Sequence, residues 1–264
     1  MKTQKQKKIL ILILSSNSYP SPINEYAQKV TWIKDNLDEN IEILFYKAGN
    51  KFSVSTNLII LSKNDRSTHG IGKRTIQVLE WVSKNKDYDY VLRINSSSYL
   101  NLKNLRLFID KLQIDNVYAG RMMDYHGTSY ISGAGILLSK NLVNLVLDKK
   151  LEWDHKLLDD VALGSLLNKL NIQTSDESYQ LFTNNIFRSF VNPDCYQYRC
   201  NMYYFGYPRY LEFFFMKNIH KRLENKSDVN SNIIIIKFFD LLKNLNLNYL
   251  YLKFIKKSGK VDRI

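Results

Sequence analysis

Cysteine, glycine and proline are scarce in this 264-residue chain, and each shortage excludes a class of protein. The two cysteines, Cys195 and Cys200, are too few for a secreted domain held together by several disulfides. They favour a reducing compartment, although one disulfide closing a short loop stays compatible with the sequence. With only 10 glycines and 4 prolines, neither a fibrous nor a disordered chain fits.

Long hydrophobic runs are missing as well. The run Ile9 to Leu14 holds six apolar residues, whereas a helix needs about 20 to cross a bilayer. No small-residue cleavage site of a signal peptide follows it. We interpret the run as a buried first strand, and we expect a cytoplasmic protein that is soluble or rests peripherally on a membrane surface.

Acidic residues are in the minority, with 25 Asp and Glu against 38 Lys and Arg, for a net charge of +13. Such an excess indicates a polyanionic partner: a nucleic acid, an anionic membrane or a phosphorylated substrate. A basic surface that simply faces water would give the same charge. Because no nucleic-acid signature accompanies the charge, we do not expect nucleic acid as a partner.

What the chain does contain is an alternation of strand-like and helix-like segments. The apolar patterns predict strands at 8–15, 42–46, 57–61, 88–94, 116–119 and 130–139, and helices at 24–37, 75–84, 104–112, 141–148 and 159–170. This alternation predicts an α/β fold with a mostly parallel central sheet flanked by helices. Ligands of such sheets bind beyond the carboxyl ends of the strands, where the polar loops Ser15–Ser18 and Asn95–Ser98 fall.

The composition changes after residue 200. Residues 203–215 are dense in aromatics, 233–247 are amphipathic and 253–263 are basic. We therefore predict a main domain at 1–200 and a helical extension at 201–264. Residues 203–208 would close over an acceptor as a lid, and the basic helices would rest on an anionic membrane; ordinary helical packing is the alternative.

Several segments carry a resemblance to a known family. In chain order they read NEYAQKVTW (24–32), KRTIQVLEWV (73–82), YVLRINSSSYLN (90–101), VYAGR (117–121), YISGAGILLS (130–139) and LDDVALG (158–164). They resemble the R-x-x-I-R-x-T-W, L-K-T-x-x-x-L-x-W, F-V-L-K-T-D-D-D-V-F-V-N, Y-C-G, Y-x-S-G-G-G-Y-V-L-S and E-D-V-x-x-G segments of the Fringe and β-1,3-galactosyltransferase family. The resemblance implies a GT-A fold with a Rossmann-like sheet, a UDP-sugar donor, a glycan or glycolipid acceptor and inversion at the anomeric carbon.

Asp159 and Asp160 are the candidate catalytic residues. Glycosyl transfer has to remove a proton from an acceptor hydroxyl, and a carboxylate can accept it. By resemblance, Asp160 takes the second acidic position of the family and is the expected base. Asp159 would hold an acceptor hydroxyl or cap the helix. In the alternative interpretation, both are only favourable charges at a helix N-terminus.

The glycine-rich segment Ser132, Gly133, Ala134 and Gly135 is the candidate acceptor-binding turn. Glycine lets the backbone approach a ligand where a side chain would clash. A simple bulge in a strand would show the same residues.

The donor site departs from the family. There an Asp-x-Asp motif holds Mn²⁺ against the donor diphosphate, since hard oxygen ligands suit such ions. Here that position reads Asn95-Ser96-Ser97, and residues 181–187 lack the histidine that often serves as a second ligand. We expect no metal ligands and no obligatory cofactor. Binding of Mn²⁺ stays compatible with the sequence, but the residues that usually hold it are absent.

Cationic side chains would then balance the charge of the leaving diphosphate. The expected donor-binding residues are Ser15, Ser16, Lys73, Arg74, Arg93, Asn95, Ser96 and Ser97, with Arg121 and Arg188 as further candidate cations.

Together these residues predict an inverting glycosyltransferase that moves a hexose from a UDP-sugar to a glycan hydroxyl without an obligatory metal. The alternative is a catalytically inactive protein of the same fold that binds a nucleotide or a glycan.

Overall fold

A computed structural model of the chain describes residues 6–61, 70–177, 179–181, 191–202 and 208–224, and leaves out the side chains of 176 and 179–181. Most of the lid predicted at 203–208, the amphipathic and basic segments after 224, and Arg188 lie outside the described residues.

A sheet of eight strands forms the centre of the fold, in the order β3-β4-β2-β1-β5-β8-β7-β9. Strands β4, β2, β1 and β5 pair in parallel, and only β3 and β8 run against the common direction. The strands are β1 Ile9–Leu14, β2 Ile41–Ala48, β3 Ser53–Ser55, β4 Leu58–Leu61, β5 Tyr90–Asn95, β7 Tyr118–Tyr125, β8 Thr128–Ser139 and β9 Ser175–Asp176.

Strand β1 shows why the apolar run is a strand. It pairs on both sides, with β2 and with β5. Ile9, Ile11 and Ile13 pack into the hydrophobic cluster on one face of the sheet, and Leu10 and Leu12 pack into the cluster on the other. A strand covered on both faces has no polar side, so it reads as a continuous hydrophobic run.

Helices cover both faces. Helices α1, α3 and α6 contribute to one hydrophobic cluster, and α2, α4 and α5 to the other. Their bounds are α1 Ser21–Gln28, α2 Gly70–Asn85, α3 Leu102–Lys111, α4 Lys140–Asp148, α5 Asp159–Lys169 and α6 Leu211–Leu223. The predicted α/β class, with a mostly parallel sheet between helices, is confirmed.

The first helix differs from the prediction. Instead of one helix at 24–37, α1 passes into a π-helical turn at Lys29–Ile33. Thr31 has non-helical dihedral angles (φ −119°, ψ −114°), and its hydroxyl donates to the Ala27 carbonyl at 2.6 Å. Side-chain bonds of this kind to the preceding turn bend helices, and a periodicity pattern does not reveal them.

A small second sheet was not predicted. It consists of β6 Ser98–Leu100, β10 Tyr179–Leu181 and β11 Gln197–Arg199, in the order β10-β11-β6. Strand β6 starts three residues after β5 ends and pairs antiparallel with β11. This pairing places β11 beside the turn at 95–97.

The region after residue 200 shares the main core in its described part. Leu211, Phe215, Met216 and Ile219 of α6 are at most 2% exposed and belong to the same cluster as β1 and β5. The domain boundary at 200 remains a prediction. Cys195 and Cys200 are both buried and form no disulfide with each other. No helix of the described chain combines the length and the apolar composition needed to cross a bilayer.

Candidate active site

Three strand ends meet at the carboxyl edge of the sheet. Leu14 of β1 pairs with Asn95 of β5, and the Ser96 amide donates to the Leu14 carbonyl at 3.1 Å. On the other side of β1, the Ser15 amide donates to the Tyr46 carbonyl of β2 at 2.9 Å. The structure therefore brings together Ser15 and the Asn95–Ser97 turn, as predicted from the order of strands and polar loops.

Strand β8 adds the glycine segment to this edge. Ile94 pairs with Gly135, so Gly133 and Ala134 lie next to the end of β5. The Ser98 hydroxyl, just beyond the turn, donates to the Ala134 carbonyl at 2.9 Å. The predicted donor and acceptor segments are thus in direct contact.

Asp159 is buried in an ion pair with Arg93. Their side chains are 9% and 4% exposed, and Arg93 Nη2 lies 2.7 Å from Asp159 Oδ2. The Thr75 hydroxyl of α2 donates to the same oxygen at 3.2 Å. Burial by itself lowers the pKa of Arg93, but the charge of Asp159 raises it above its ordinary value.

Arg93 has two more partners besides Asp159. Its Nε donates to the Tyr46 hydroxyl at 3.3 Å, and its Nη1 donates to the Gly133 carbonyl. Arg93 is 3% exposed, and its guanidinium donors are therefore used by hydrogen bonds within the protein. A role for Arg93 on the donor diphosphate stays a prediction. Its contacts with Asp159 and the Gly133 carbonyl connect the start of α5 to the glycine segment.

Asp160 turns the other way from its neighbour. Its Oδ2 accepts the Gly133 amide at 2.7 Å and its Oδ1 accepts the Val161 amide at 3.0 Å. The residue is half-buried at the first turn of α5. Burial, and next the charge of Asp159, raise the pKa of the Asp160 carboxyl. A carboxylate with a raised pKa at the edge of the sheet is suited to accept a proton.

The two glycines make room for the protein's own side chains. A Cβ at Gly133 would lie 2.9 Å from Arg93 Nη1 and 3.1 Å from Asp160 Oδ2, and one at Gly135 would overlap the Gln197 side chain. The close approach that suggested a ligand is therefore explained within the chain. Acceptor binding by Ser132, Gly133, Ala134 and Gly135 stays a prediction.

The turn in the Asp-x-Asp position is bonded to an arginine. Ser96 and Ser97 are buried, and the Ser97 hydroxyl accepts Arg199 Nη1 at 2.8 Å. Arg199 lies at the end of β11, and the Cys200 amide donates to the Ser97 carbonyl at 2.9 Å. Sequence reasoning missed Arg199, because a three-residue strand gives no pattern that places it beside residue 97.

The remaining expected residues are spread around this edge. Lys73 is exposed and Arg74 is buried on α2, and Arg121 is exposed on β7. The Ser16 hydroxyl bonds to Ser21 at 2.9 Å, and the Ser15 hydroxyl donates to Glu25. The side chains of Ser15 and Ser16 thus tie the loop after β1 to helix α1.

The turn does not suit a divalent cation. Asn95, Ser96 and Ser97 offer no carboxylate, and one of their hydroxyl oxygens already accepts a hydrogen bond from a guanidinium. A second positive charge at this oxygen would be repelled. In the described ranges, the one cluster of three metal-ligating side chains is Asp35, His220 and Glu224, which does not include this turn.

No family model matches the chain, and no curated protein matches it by sequence. Among solved structures, it is similar to a glycosyltransferase involved in the glycosylation of the major capsid of PBCV-1. That likeness has a TM-score of 0.50 and 14% identity, and covers 79% of this chain and 98% of the other.

Two further structures are more distant. An active-site mutant of LgtC has a TM-score of 0.46 at 13% identity, covering 72% of this chain and 86% of its own. GlyE of Streptococcus pneumoniae TIGR4 has a TM-score of 0.42 at 11% identity, covering 73% and 55%. The likeness to the capsid glycosyltransferase shows that this chain has the fold of GT-A glycosyltransferases.

Proposed function

We propose that this protein is an inverting glycosyltransferase that moves a hexose from a UDP-sugar to a glycan hydroxyl without an obligatory metal. The observation that carries the proposal is Asp160, a half-buried carboxylate with a raised pKa at the carboxyl edge of a GT-A sheet. The Fringe-like segments support the inverting course, and the Asp160 position matches the family's second acidic residue.

The reaction is a single displacement. The acceptor hydroxyl oxygen forms a bond to the anomeric carbon while its proton passes to Asp160, and the bond to the UDP oxygen breaks. The hydrogen bond from the Gly133 amide holds the carboxylate in place, so the base keeps one orientation while the acceptor binds.

The diphosphate leaves with additional negative charge, which a cation has to balance. Arg199, bonded to the turn that replaces the family's Asp-x-Asp, is our candidate for that cation. A guanidinium presents several donors in a fixed plane and recognises phosphate oxygens well. This assignment explains how the site would work with Asn95, Ser96 and Ser97 in place of metal ligands.

The experiment that tests the proposal is turnover of UDP-sugars with a panel of glycan acceptors, with and without EDTA. We expect turnover that EDTA leaves unchanged and that Asp160→Asn lowers on the order of 10²- to 10⁴-fold, as for loss of a general base. Asp148→Asn, at an exposed carboxylate at the end of α4, is the matched control and should keep full activity.

Two results would count against the proposal. Loss of turnover in EDTA with recovery on Mn²⁺ would overturn metal independence. Full turnover in Asp160→Asn would remove the proposed base.

The second candidate is a GT-A protein that binds a nucleotide or glycan without turnover. It is favoured by the missing carboxylates at 95–97 and by Asp159, whose carboxylate is already occupied by Arg93 and Thr75. Calorimetric binding of UDP without hydrolysis of any donor in the panel would select this candidate.

The partners we propose are a nucleotide-sugar donor and a glycan or glycolipid acceptor. The net charge of +13 supports a peripheral contact with an anionic membrane, where glycolipid acceptors reside. Sedimentation with anionic but not neutral vesicles would test this contact.

A further inference from the structure

A second cluster of polar side chains joins the C-terminal end of α6 to the segment after the π-helical turn. His220 Nε2 lies 3.3 Å from Asp35 Oδ2 and 3.5 Å from Glu224 Oε2. One ligand atom from each of the three residues lies within 4.8 Å of the other two. We propose that these residues bind a zinc ion.

The two separations from His220 fit a zinc site. Zinc bonds of about 2.0–2.2 Å in tetrahedral geometry set neighbouring ligand atoms about 3.3–3.6 Å apart. A direct hydrogen bond between a charged imidazole and a carboxylate would be shorter, about 2.7–2.9 Å. The observed 3.3 and 3.5 Å therefore match ligands around a common ion better than hydrogen bonds between the ligands.

Tyr99 orients the histidine. Its hydroxyl lies 3.0 Å from His220 Nδ1, and both residues are buried, at 4% and 8% exposed. Metal-binding histidines almost always donate the N–H of their other ring nitrogen to a carboxylate, a backbone carbonyl or water, which fixes the ring. Here the Tyr99 oxygen would accept the hydrogen bond from Nδ1 and leave Nε2 for the metal.

Charge and access suit a cation as well. Two carboxylates and a neutral imidazole carry a charge of about −2 toward a divalent ion. The side chains of Asp35 and Glu224 are 43% and 31% exposed, so an ion can enter from solvent, while His220 closes the inner side. A water molecule would complete the four ligands.

The cluster is separate from the candidate active site. Asp35 precedes the turn at 38–40, where the Asn40 carbonyl accepts the first amide of β1 at 2.8 Å, at the amino edge of the sheet. Asp160 lies at the carboxyl edge. A zinc ion here would clamp the end of α6 to the segment after α1, which is a structural role.

The test is zinc binding by the full chain, purified without a histidine tag, stripped with EDTA and titrated with Zn²⁺ against a chromophoric chelator. We expect one zinc per chain and a rise in melting temperature. Asp35→Asn and Glu224→Gln should each weaken binding at least tenfold, whereas Glu39→Gln, at an exposed carboxylate near Asp35, should not.

A further variant separates the zinc site from general stability. Tyr99→Phe keeps the buried ring but removes the partner of Nδ1, and it should weaken zinc binding about 10- to 100-fold. X-ray absorption of the zinc-loaded protein should show one imidazole and oxygen ligands at tetrahedral distances.

Fewer than one zinc per chain, or equal affinity in wild type, Asp35→Asn and Glu224→Gln, would overturn the proposal. The cluster would then be a histidine hydrogen-bonded to two carboxylates. Because the titration contains neither donor nor acceptor, its result is independent of the proposed glycosyl transfer.

Discussion

At the scale of single residues, Asp159 and Asp160 show how the surroundings give two identical side chains different partners and different roles. Successive residues at the start of a helix point in different directions, so one carboxylate enters the core and the other faces the glycine segment. The charge of Asp159 is neutralised by the buried Arg93. Removing Arg93 alone would leave an unpaired buried charge and lower the free energy of unfolding by about 3–5 kcal/mol. Among the described residues Asp160 forms no such ion pair, and its carboxylate accepts hydrogen bonds from the Gly133 and Val161 amides.

The raised pKa of Asp160 predicts a pH dependence of activity. A base works only in its deprotonated form, so kcat/KM should fall as the pH drops through the raised pKa. The midpoint of this acidic limb should lie above the value of an ordinary aspartate, about 3.9. Measuring kcat/KM against pH checks it. A limb centred at or below the ordinary value would mean that Asp160 is not the base.

Arg199 gives a second prediction at this scale. Losing one charge-assisted contact to a phosphate, about 1.5–3 kcal/mol, should raise KM for the UDP-sugar roughly 10- to 100-fold in Arg199→Gln. Arg199→Lys keeps the charge and should recover part of the loss. Arg222→Gln on α6 is the control for a general loss of positive charge. Unchanged KM in a folded Arg199→Gln variant would remove Arg199 from the donor site.

At the scale of elements, strand β8 organises the site. It pairs antiparallel with both β5 and β7, and its glycines lie against Arg93, Asp160 and Gln197. The side chain of Gln197 occupies the space over Gly135 and donates to the Ala134 carbonyl at 2.7 Å. The second sheet thus packs through Gln197 against the glycine segment, so a larger residue at 135 would collide with the side chain at 197.

This fit predicts that Gly135→Ala is destabilising and that Gln197→Ala compensates. Overpacking of this kind costs typically about 1–3 kcal/mol. In the double variant the new methyl group no longer meets Gln197, so its free energy of unfolding should exceed the additive expectation. Urea unfolding of both single variants and the double variant measures this coupling. Strictly additive effects would show that the two residues do not compete for space.

At the scale of the whole molecule, α6 completes one helical layer. Its apolar residues pack with α1 and α3 over the sheet, and Asn24 of α1 donates to the buried Glu212 carboxylate at 2.5 Å. The segment expected to be an extension thus supplies part of the core in its described residues.

A fragment of residues 1–200 should therefore not fold stably. It would lose the burial of Leu211, Phe215, Met216 and Ile219, each worth about 1.5–3 kcal/mol, against a typical total stability of about 5–15 kcal/mol. Circular dichroism and urea unfolding of the fragment and the full chain would compare them. Equal urea midpoints would instead support an independent domain at 1–200.

The sequence predicted the elements whose patterns are local. The run at 9–14, the helices α2 to α5 and the strands around them are confirmed, because each has a local apolar pattern of its own, which for β1 is a continuous run. The second sheet and the π-helical turn were not predicted. Their strands are three residues long and the turn depends on one hydroxyl, so neither leaves a periodic pattern.

By itself, the sequence determined the α/β class, the carboxyl edge where polar loops gather, and Asp160 as the candidate base. The class and the edge follow from apolar patterns and from the order of segments along the chain, whereas the choice of Asp160 follows from the resemblance of residues 158–164 to a family segment. Only the tertiary structure decided that Arg93 pairs with Asp159, that Arg199 bonds to Ser97, and that Asp35 meets His220. These contacts join residues far apart in the chain, and two of the scarce glycines, Gly133 and Gly135, leave room for side chains at the site.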